Sequence, residues 1–106
     1  MLYDVRTYVC RPGTLKAQLA IYAEHGYAVQ KSYLGDPVLF LVPETGNVNC
    51  FIHIWSYRDL HDRAERRARL QADPQWLTYQ TRSREAGHLL SQNSDLMSEA
   101  PFLRSK

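Results

Sequence analysis

The chain has 106 residues, of which 44% are hydrophobic and 23% are charged, and its formal net charge is +2. This length predicts a single domain over residues 1–106 that is large enough to bury a core without covalent staples. The small net charge argues against a nucleic-acid partner, and no apolar run approaches the roughly 20 residues that a membrane span needs. The N-terminus reads directly as a strand, without a signal or transit segment, so we expect a cytoplasmic protein. Cys10 and Cys50 are expected to be free thiols, and neither a metal nor a cofactor is predicted.

The first half of the chain predicts a strand, a helix and a second strand. Residues 2–9 alternate with a period of two, and Thr14 after Pro12-Gly13 is placed to cap a helix. One helical stripe is formed by Leu15, Leu19, Tyr22, Ala23 and Gly26. A second strand is predicted from Tyr33 to Val42, and the Gly35-Asp36-Pro37 segment within it indicates a bulge or an edge position.

The middle of the chain predicts a hairpin followed by a charged helix. Glu44 to Asn47 has the composition of a turn, and Val48 to Tyr57 is rich in β-branched and aromatic residues. Asp59 is predicted to start the helix as its N-cap. The arginines of this helix are interleaved with acids, which indicates a solvated face with three ion pairs: Asp59–Arg63, Asp62–Arg66 and Glu65–Arg69.

The last third of the chain predicts another helix and a final strand. Asp73-Pro74 starts the helix, which ends near Gly87, and Leu89 to Met97 forms a more polar strand before a tail from Ala100 to Lys106. The predicted order is therefore β-α-β-β-α-α-β. This order is typical of an α+β, ferredoxin-like protomer with helices on one face of an antiparallel sheet.

The third strand predicts a homodimer, because neither of its faces is plainly polar. Its even positions are Val48, Cys50, Ile52 and Ile54, and its odd positions are Asn49, Phe51, His53, Trp55 and Tyr57. A strand with one solvated face should alternate apolar with polar residues. Two copies packed sheet against sheet, as a dimeric α/β barrel, would bury both faces. The alternation of odd and even positions alone does not decide which face of the strand meets the helices and lines a cavity.

Taken together, these motifs resemble the NIPSNAP family of dimeric α/β-barrel proteins over essentially the whole chain. The resemblance is carried by Arg6, Tyr8, Pro12-Gly13, Glu44-Thr45-Gly46, Asn49, His53-Ile54-Trp55, Tyr57, Arg63, Arg66, Arg67, Asp73-Pro74, Trp76 and Pro101-Phe102. It implies a ferredoxin-like protomer and a dimeric barrel, but no shared catalytic mechanism. The wider superfamily includes cofactor-independent oxygenases, isomerases and haem-degrading enzymes, so whether this chain is an enzyme stays open.

Six residues on strands one and three are predicted to line a ligand site: Arg6, Tyr8, Asn49, Phe51, His53 and Trp55. His53 and Arg6 are the catalytic candidates, as an acid/base that titrates near neutral pH and as a binder of a carboxylate or enolate oxygen. Both residues also have a purely structural interpretation. His53 would then be a hydrogen-bonded histidine in an aromatic interface, and Arg6 would form a salt bridge with Asp4 or Glu44.

Three functions remain open on this pattern. The first is a non-catalytic module that binds a small organic ligand or a protein partner. The second is a small cofactor-independent oxygenase or isomerase acting on a hydrophobic or aromatic substrate. A weaker third is haem handling through His53.

Overall fold

The computed structural model describes residues 1–104, which form a single sheet with helices packed on one side of it. The elements in chain order are β1 (Leu2–Cys10), α1 (Leu15–His25), α2 (Tyr27–Leu34), β2 (Leu39–Leu41), β3 (Cys50–Tyr57), α3 (Leu60–Ala72), α4 (Pro74–Ala86), β4 (Leu89–Ser98) and α5 (Pro101–Arg104). The strands are antiparallel in the order β2-β3-β1-β4. This is the predicted ferredoxin-like α+β fold. No helix within the described part of the chain has the length and apolar character to cross a membrane.

The two faces of the sheet differ in what covers them. The odd positions of β3, from Phe51 to Tyr57, are buried beneath the helices, whereas the even positions of that strand are only partly covered. In β1 the even residues lie on the same side, because Asp4 pairs with Trp55 and Arg6 pairs with His53 across the strands. The odd face of β3 therefore meets the helices. The core beneath them consists of Val29, Leu34, Trp55, Tyr57, Leu70 and Trp76.

The predicted second strand from Tyr33 to Val42 is wrong over most of its length. Only Leu39–Leu41 is a strand, and Tyr27–Leu34 is a helix that the predicted order lacks. The preceding helix ends where predicted, at Gly26, and the chain then starts a new helix at once. Leu34 is 2% exposed in the core, and Gly35, at a φ of 82°, ends the helix directly after it. The burial of Leu34 in the core thus outweighs the local preference on which the strand prediction from Tyr33 depended.

The charged helix α3 is capped as predicted, but its side chains form different ion pairs from those predicted. The Asp59 carboxylate accepts a hydrogen bond from the backbone N–H of Asp62 at 2.8 Å, which confirms it as the N-cap. Of the three predicted ion pairs, only Asp62–Arg66, at 3.0 Å, forms among the described residues. Arg63 turns away from the helix surface and binds Asp4 of β1 at 3.1 Å. The prediction of a solvated face is therefore wrong at Arg63, and two of its three ion pairs are absent from the described residues.

The C-terminal part of the chain contains the predicted final strand. It runs from Leu89 to Ser98, one residue beyond the predicted end. The predicted tail is wrong at residues 101–104, which form the short helix α5 with Pro101 at its start, where a missing N–H costs nothing. Residues 105 and 106, at the end of the predicted tail, lie outside the described residues.

Gly26 allows the close approach of two aromatic rings at the junction of α1 and α2. A Cβ added there would lie 3.0 Å from ring atoms of both Tyr22 and Tyr79. We expect Gly26→Ala to lower the free energy of unfolding by about 1–3 kcal/mol, the usual cost of overpacking, although Ala is the better helix former. Urea denaturation measures the change. Lys16→Ala, on an exposed position of α1, should leave the midpoint unchanged, and an unchanged midpoint for Gly26→Ala would contradict the prediction.

Candidate functional site

A cavity of about 450 Å³ lies between the sheet and the helices. Its floor comes from the central strands, and its walls come from the helices that cross them. The aromatic residues of its lining are Tyr8, Tyr22, Phe51, Trp76 and Tyr79. Its polar lining includes three arginines, a histidine and several glutamines. This mixture of aromatic surface and a few polar groups is typical of small-molecule sites.

The structure brings four of the six predicted site residues together on the cavity floor: Arg6, Tyr8, Phe51 and His53. Trp55 lies in the core with no exposed surface, so it supports the floor rather than lining it. Asn49 precedes β3 at the end of the sheet, where its side-chain oxygen accepts a hydrogen bond from the backbone N–H of Gly13 at 3.2 Å. Neither Trp55 nor Asn49 lines the cavity.

Arg6 is held along the helix-facing side of the sheet by three side chains. It donates to the hydroxyl of Tyr8 at 3.0 Å, to the hydroxyl of Ser94 at 2.7 Å and to the carboxylate of Asp4 at 3.3 Å. Asp4, and not Glu44, is therefore its acidic partner. Burial opposes the positive charge, but Tyr8 and then Asp4 raise the pKa of Arg6 above its usual value. The guanidinium is thus a fixed cation on the cavity floor.

His53 is a neutral hydrogen-bond donor to the cavity. Its Nδ1 accepts a hydrogen bond from the indole N–H of Trp55, so the ring proton resides on Nε2. Burial, and then the nearby charge of Arg6, lower the pKa of His53 to about 3. The side chain stays neutral at pH 7, whereas the hypothesis from sequence required titration near neutrality. Nε2 has no hydrogen-bond partner among residues 1–104 and is available to a ligand.

Flat aromatic rings form the apolar part of the floor. The ring of Tyr8 stacks on Phe51 with centroids 4.8 Å apart and an interplanar angle of 9°. It also stacks on His53 at 5.1 Å and 15°. On the opposite side, Trp76 and Tyr79 of α4 are in contact at 5.0 Å. The sheet therefore lines the cavity with the edges of stacked rings, and α4 adds two further aromatic rings.

Several cavity residues were not predicted from the sequence, chiefly Gln30 of α2, Arg67 of α3 and Arg84 of α4. The sequence predicts a solvated face for the arginines of this helix, including Arg67, because acids are interleaved with them. A usable signal was present, since Arg63, Arg67 and Leu70 fall at offsets 0, 4 and 7 and so share one helix face. Leu70 is fully buried, which turns that face toward the sheet.

Comparison with protein families agrees with the fold and the motifs. The NIPSNAP family model matches residues 3–104. This chain belongs to the NIPSNAP family. It is 33% identical over 76 residues to a NipSnap homolog of Dictyostelium discoideum, in a match that covers 72% of this chain. The same match covers 33% of the Dictyostelium protein, so this chain spans about a third of that relative's length.

Solved structures of bacterial NIPSNAP proteins superpose closely on this chain. The protein Atu4242 of Agrobacterium tumefaciens, a NIPSNAP family protein of unknown function, is 39% identical with a TM-score of 0.88, and the match covers 96% of each chain. A NIPSNAP domain protein of Burkholderia xenovorans is 31% identical with a TM-score of 0.87, covering 96% of this chain and 97% of that one. An antibiotic biosynthesis monooxygenase shares the fold with a TM-score of 0.64 at 16% identity, covering 95% of this chain and 100% of the other.

The low pKa of His53 predicts a specific acid sensitivity of this NIPSNAP protein. Unfolded, the side chain binds a proton below pH 6.5, whereas the folded protein binds it only near pH 3, so stability falls as the pH drops through that window. The loss should approach about 1.4 kcal/mol per pH unit in the free energy of unfolding. Urea titrations between pH 3 and 7 measure it.

His53→Gln is the informative variant, because its carboxamide oxygen can still accept the hydrogen bond from Trp55 but does not titrate. We expect its stability to vary less with pH than that of the wild type. The exposed His61→Gln is the control and should keep the wild-type slope. Parallel curves for wild type and His53→Gln would contradict the assignment.

Proposed function

We propose that this NIPSNAP protein binds a small organic molecule in the cavity between its sheet and its helices, without turnover. The observation that carries the proposal is the convergence of unused polar groups on a cavity of about 450 Å³ with aromatic walls. Cavities of roughly 300–1,000 Å³ with a few placed polar groups are where proteins hold small ligands.

Unused hydrogen-bonding capacity on the cavity wall supports the proposal. Gln30 is 2% exposed, and its side-chain oxygen accepts a hydrogen bond from the hydroxyl of Tyr22. Within residues 1–104, the amide nitrogen of Gln30 has no partner, nor does Nε2 of His53. Arg67 likewise makes no ion pair with any described residue. Polar groups in protein interiors are normally satisfied, so a bound ligand would complete these three.

We also propose that the protein acts as a homodimer that covers the open face of the sheet. That face carries a contiguous apolar surface across β1, β2 and β3, where Val5 and Leu39 flank Ile54 in the register. Leu39 is 48% and Leu41 is 47% exposed in the single chain. The solvated face of an antiparallel sheet is normally polar. A second copy presents the same flat apolar face, and sheets pack face to face at about 10 Å.

A cofactor-independent oxygenase or isomerase is the second candidate. Arg6 and His53 occupy paired positions on adjacent strands. Both residues offer N–H donors to the same cavity. Two such donors are what stabilises a developing oxyanion in an apolar site. In this version His53 polarises a substrate oxygen and does not take up a proton, because its pKa is about 3. Measurable turnover that is lost in His53→Ala would favour this candidate over simple binding.

Haem handling through His53 does not fit the hydrogen bonding of that side chain. Iron would take the lone pair of Nε2 and leave the ring proton on Nδ1. Nδ1 instead accepts a hydrogen bond from the indole N–H of Trp55, so two donors would face each other. We therefore derive no role for haem at this site.

A ligand that co-purifies with the protein is the direct test of small-molecule binding. We expect native mass spectrometry to show a reproducible extra mass, released on denaturation, in the wild type. Gln80→Trp, which places an indole on the cavity wall contributed by α4, should lose that mass. Thr81→Trp, next along the same helix and outside this cavity, is the matched control and should keep it. A bare mass for the wild type would contradict ligand binding and favour a protein-interaction module.

The dimer is tested by placing a charge at the centre of the open sheet face. Ile54→Lys puts an ammonium group between Val5 and Leu39, and sedimentation velocity should shift from dimer to monomer. Leu77→Lys, on an exposed position of α4, should remain dimeric. A monomeric wild type, or a dimer that persists unchanged in Ile54→Lys, would overturn the proposed interface.

A further inference from the structure

The cavity has an excess of positive charge. Arg6 reaches it from β1, Arg67 from α3 and Arg84 from α4, so three separate elements each contribute a guanidinium. Among the described residues that line it, none is an aspartate or a glutamate. A low-dielectric site with this composition attracts anions and disfavours cations.

The carboxylate that pairs with Arg6 is already engaged on the same side of the sheet. Asp4 is fully buried and binds Arg6 at 3.3 Å and Arg63 at 3.1 Å through the same oxygen. Arg67 faces the cavity without an acid: burial, and then repulsion from Arg6 and Arg63, lower its pKa. The carboxylate of Asp4 therefore pairs with two guanidiniums and leaves that of Arg67 without an ion pair among the described residues. A partly buried cation without a counter-charge is unfavourable, and an anionic ligand would neutralise it.

The aromatic floor selects the body of such an anion. Tyr8, Phe51 and His53 present nearly parallel rings, within 20° of one another. Because these rings are stacked on one another, they present their edges to the cavity. Aromatic edges favour edge-to-face contact with a flat conjugated ring. An inorganic anion would leave these edges without an aromatic partner. The two features together describe a flat molecule with a negative end.

We propose that the ligand of this cavity is a planar aromatic carboxylate. Its carboxylate lies between Arg6 and Arg67, and its ring lies against Tyr8 and Phe51. A guanidinium matches a carboxylate with two parallel N–H donors, which is why arginine rather than lysine suits this position. The Nε2–H group of His53 donates a hydrogen bond to a further oxygen of the ligand. This inference rests on the proposed function, that the cavity binds a small molecule, and names its chemical class.

The test compares two probes of nearly equal shape, 1-naphthoate and its neutral amide 1-naphthamide, by calorimetric titration of the full chain. We expect 1-naphthoate to bind at least tenfold more tightly than the amide. Arg67→Gln should remove most of that preference and leave binding of the amide unchanged. Arg69→Gln, on an exposed position of the same helix, is the matched control and should behave as the wild type.

A second variant keeps the test decisive if Arg67→Gln fails to fold. Arg84 is exposed at the cavity rim, so Arg84→Gln is expected to fold. It should weaken the binding of 1-naphthoate by a smaller factor than Arg67→Gln does. Equal affinity for the two probes in the wild type would overturn the anion inference and leave small-molecule binding standing. A preference that survives both variants would overturn the placement of the carboxylate. Binding of neither probe, with no co-purifying mass, would overturn both proposals.

Discussion

The carboxylate of Asp4 lies beneath the helices with no exposed surface, where it binds the guanidinium groups of Arg6 and Arg63. A buried carboxylate is tolerated only when it is paired, so strand β1 and helix α3 must be held together at this point. The same contact orients Arg6 along the sheet toward Tyr8 and the cavity. Replacing such a network by apolar side chains is often neutral for stability, so its value here is the fixed cation that it positions.

This network gives the sheet an unusual distribution of polarity. The covered face carries Asp4, Arg6 and His53, which are buried, whereas the open face carries Val5 and Ile54, which are partly exposed. In an ordinary two-layer domain the apolar residues would lie under the helices. Polar groups beneath the helices suit a ligand, and apolar residues on the open face suit a second copy. The proposed binding therefore depends on the polar groups set within an apolar core, and the proposed dimer depends on the apolar residues of the open face.

Local sequence patterns predicted the strands and their order better than they predicted the interior. The odd positions of β3 were recognised as a set, but only the packing of Leu70 and Trp76 decides that they face the helices. The strand predicted from Tyr33 failed because its continuous apolar run begins only at Val38, and the core recruits Leu34 as part of a helix. Boundaries set by turn chemistry, such as Gly26 and Asp59, were found correctly.

The site itself was predictable where its residues lie on adjacent strands and not where a helix supplies them. Arg6 and His53 face the same cavity because alternation fixes their side of the sheet. Arg67 reaches it because the face of α3 that it shares with Leu70 rests on the sheet; helical spacing groups these residues on one face but does not say what that face packs against.

Four of the side chains that line the cavity, Arg6, Gln30, His53 and Arg67, offer it hydrogen-bond donors. The guanidiniums of Arg6 and Arg67 carry only N–H donors, and His53 presents an N–H because its other nitrogen accepts a hydrogen bond from Trp55. Gln30 presents its amide nitrogen, because its oxygen is taken by Tyr22. These four donors, with His53 neutral and its Nδ1 occupied, suit an acceptor-rich molecule better than the removal of a proton from one. They support the proposed binding more directly than the size of the cavity does.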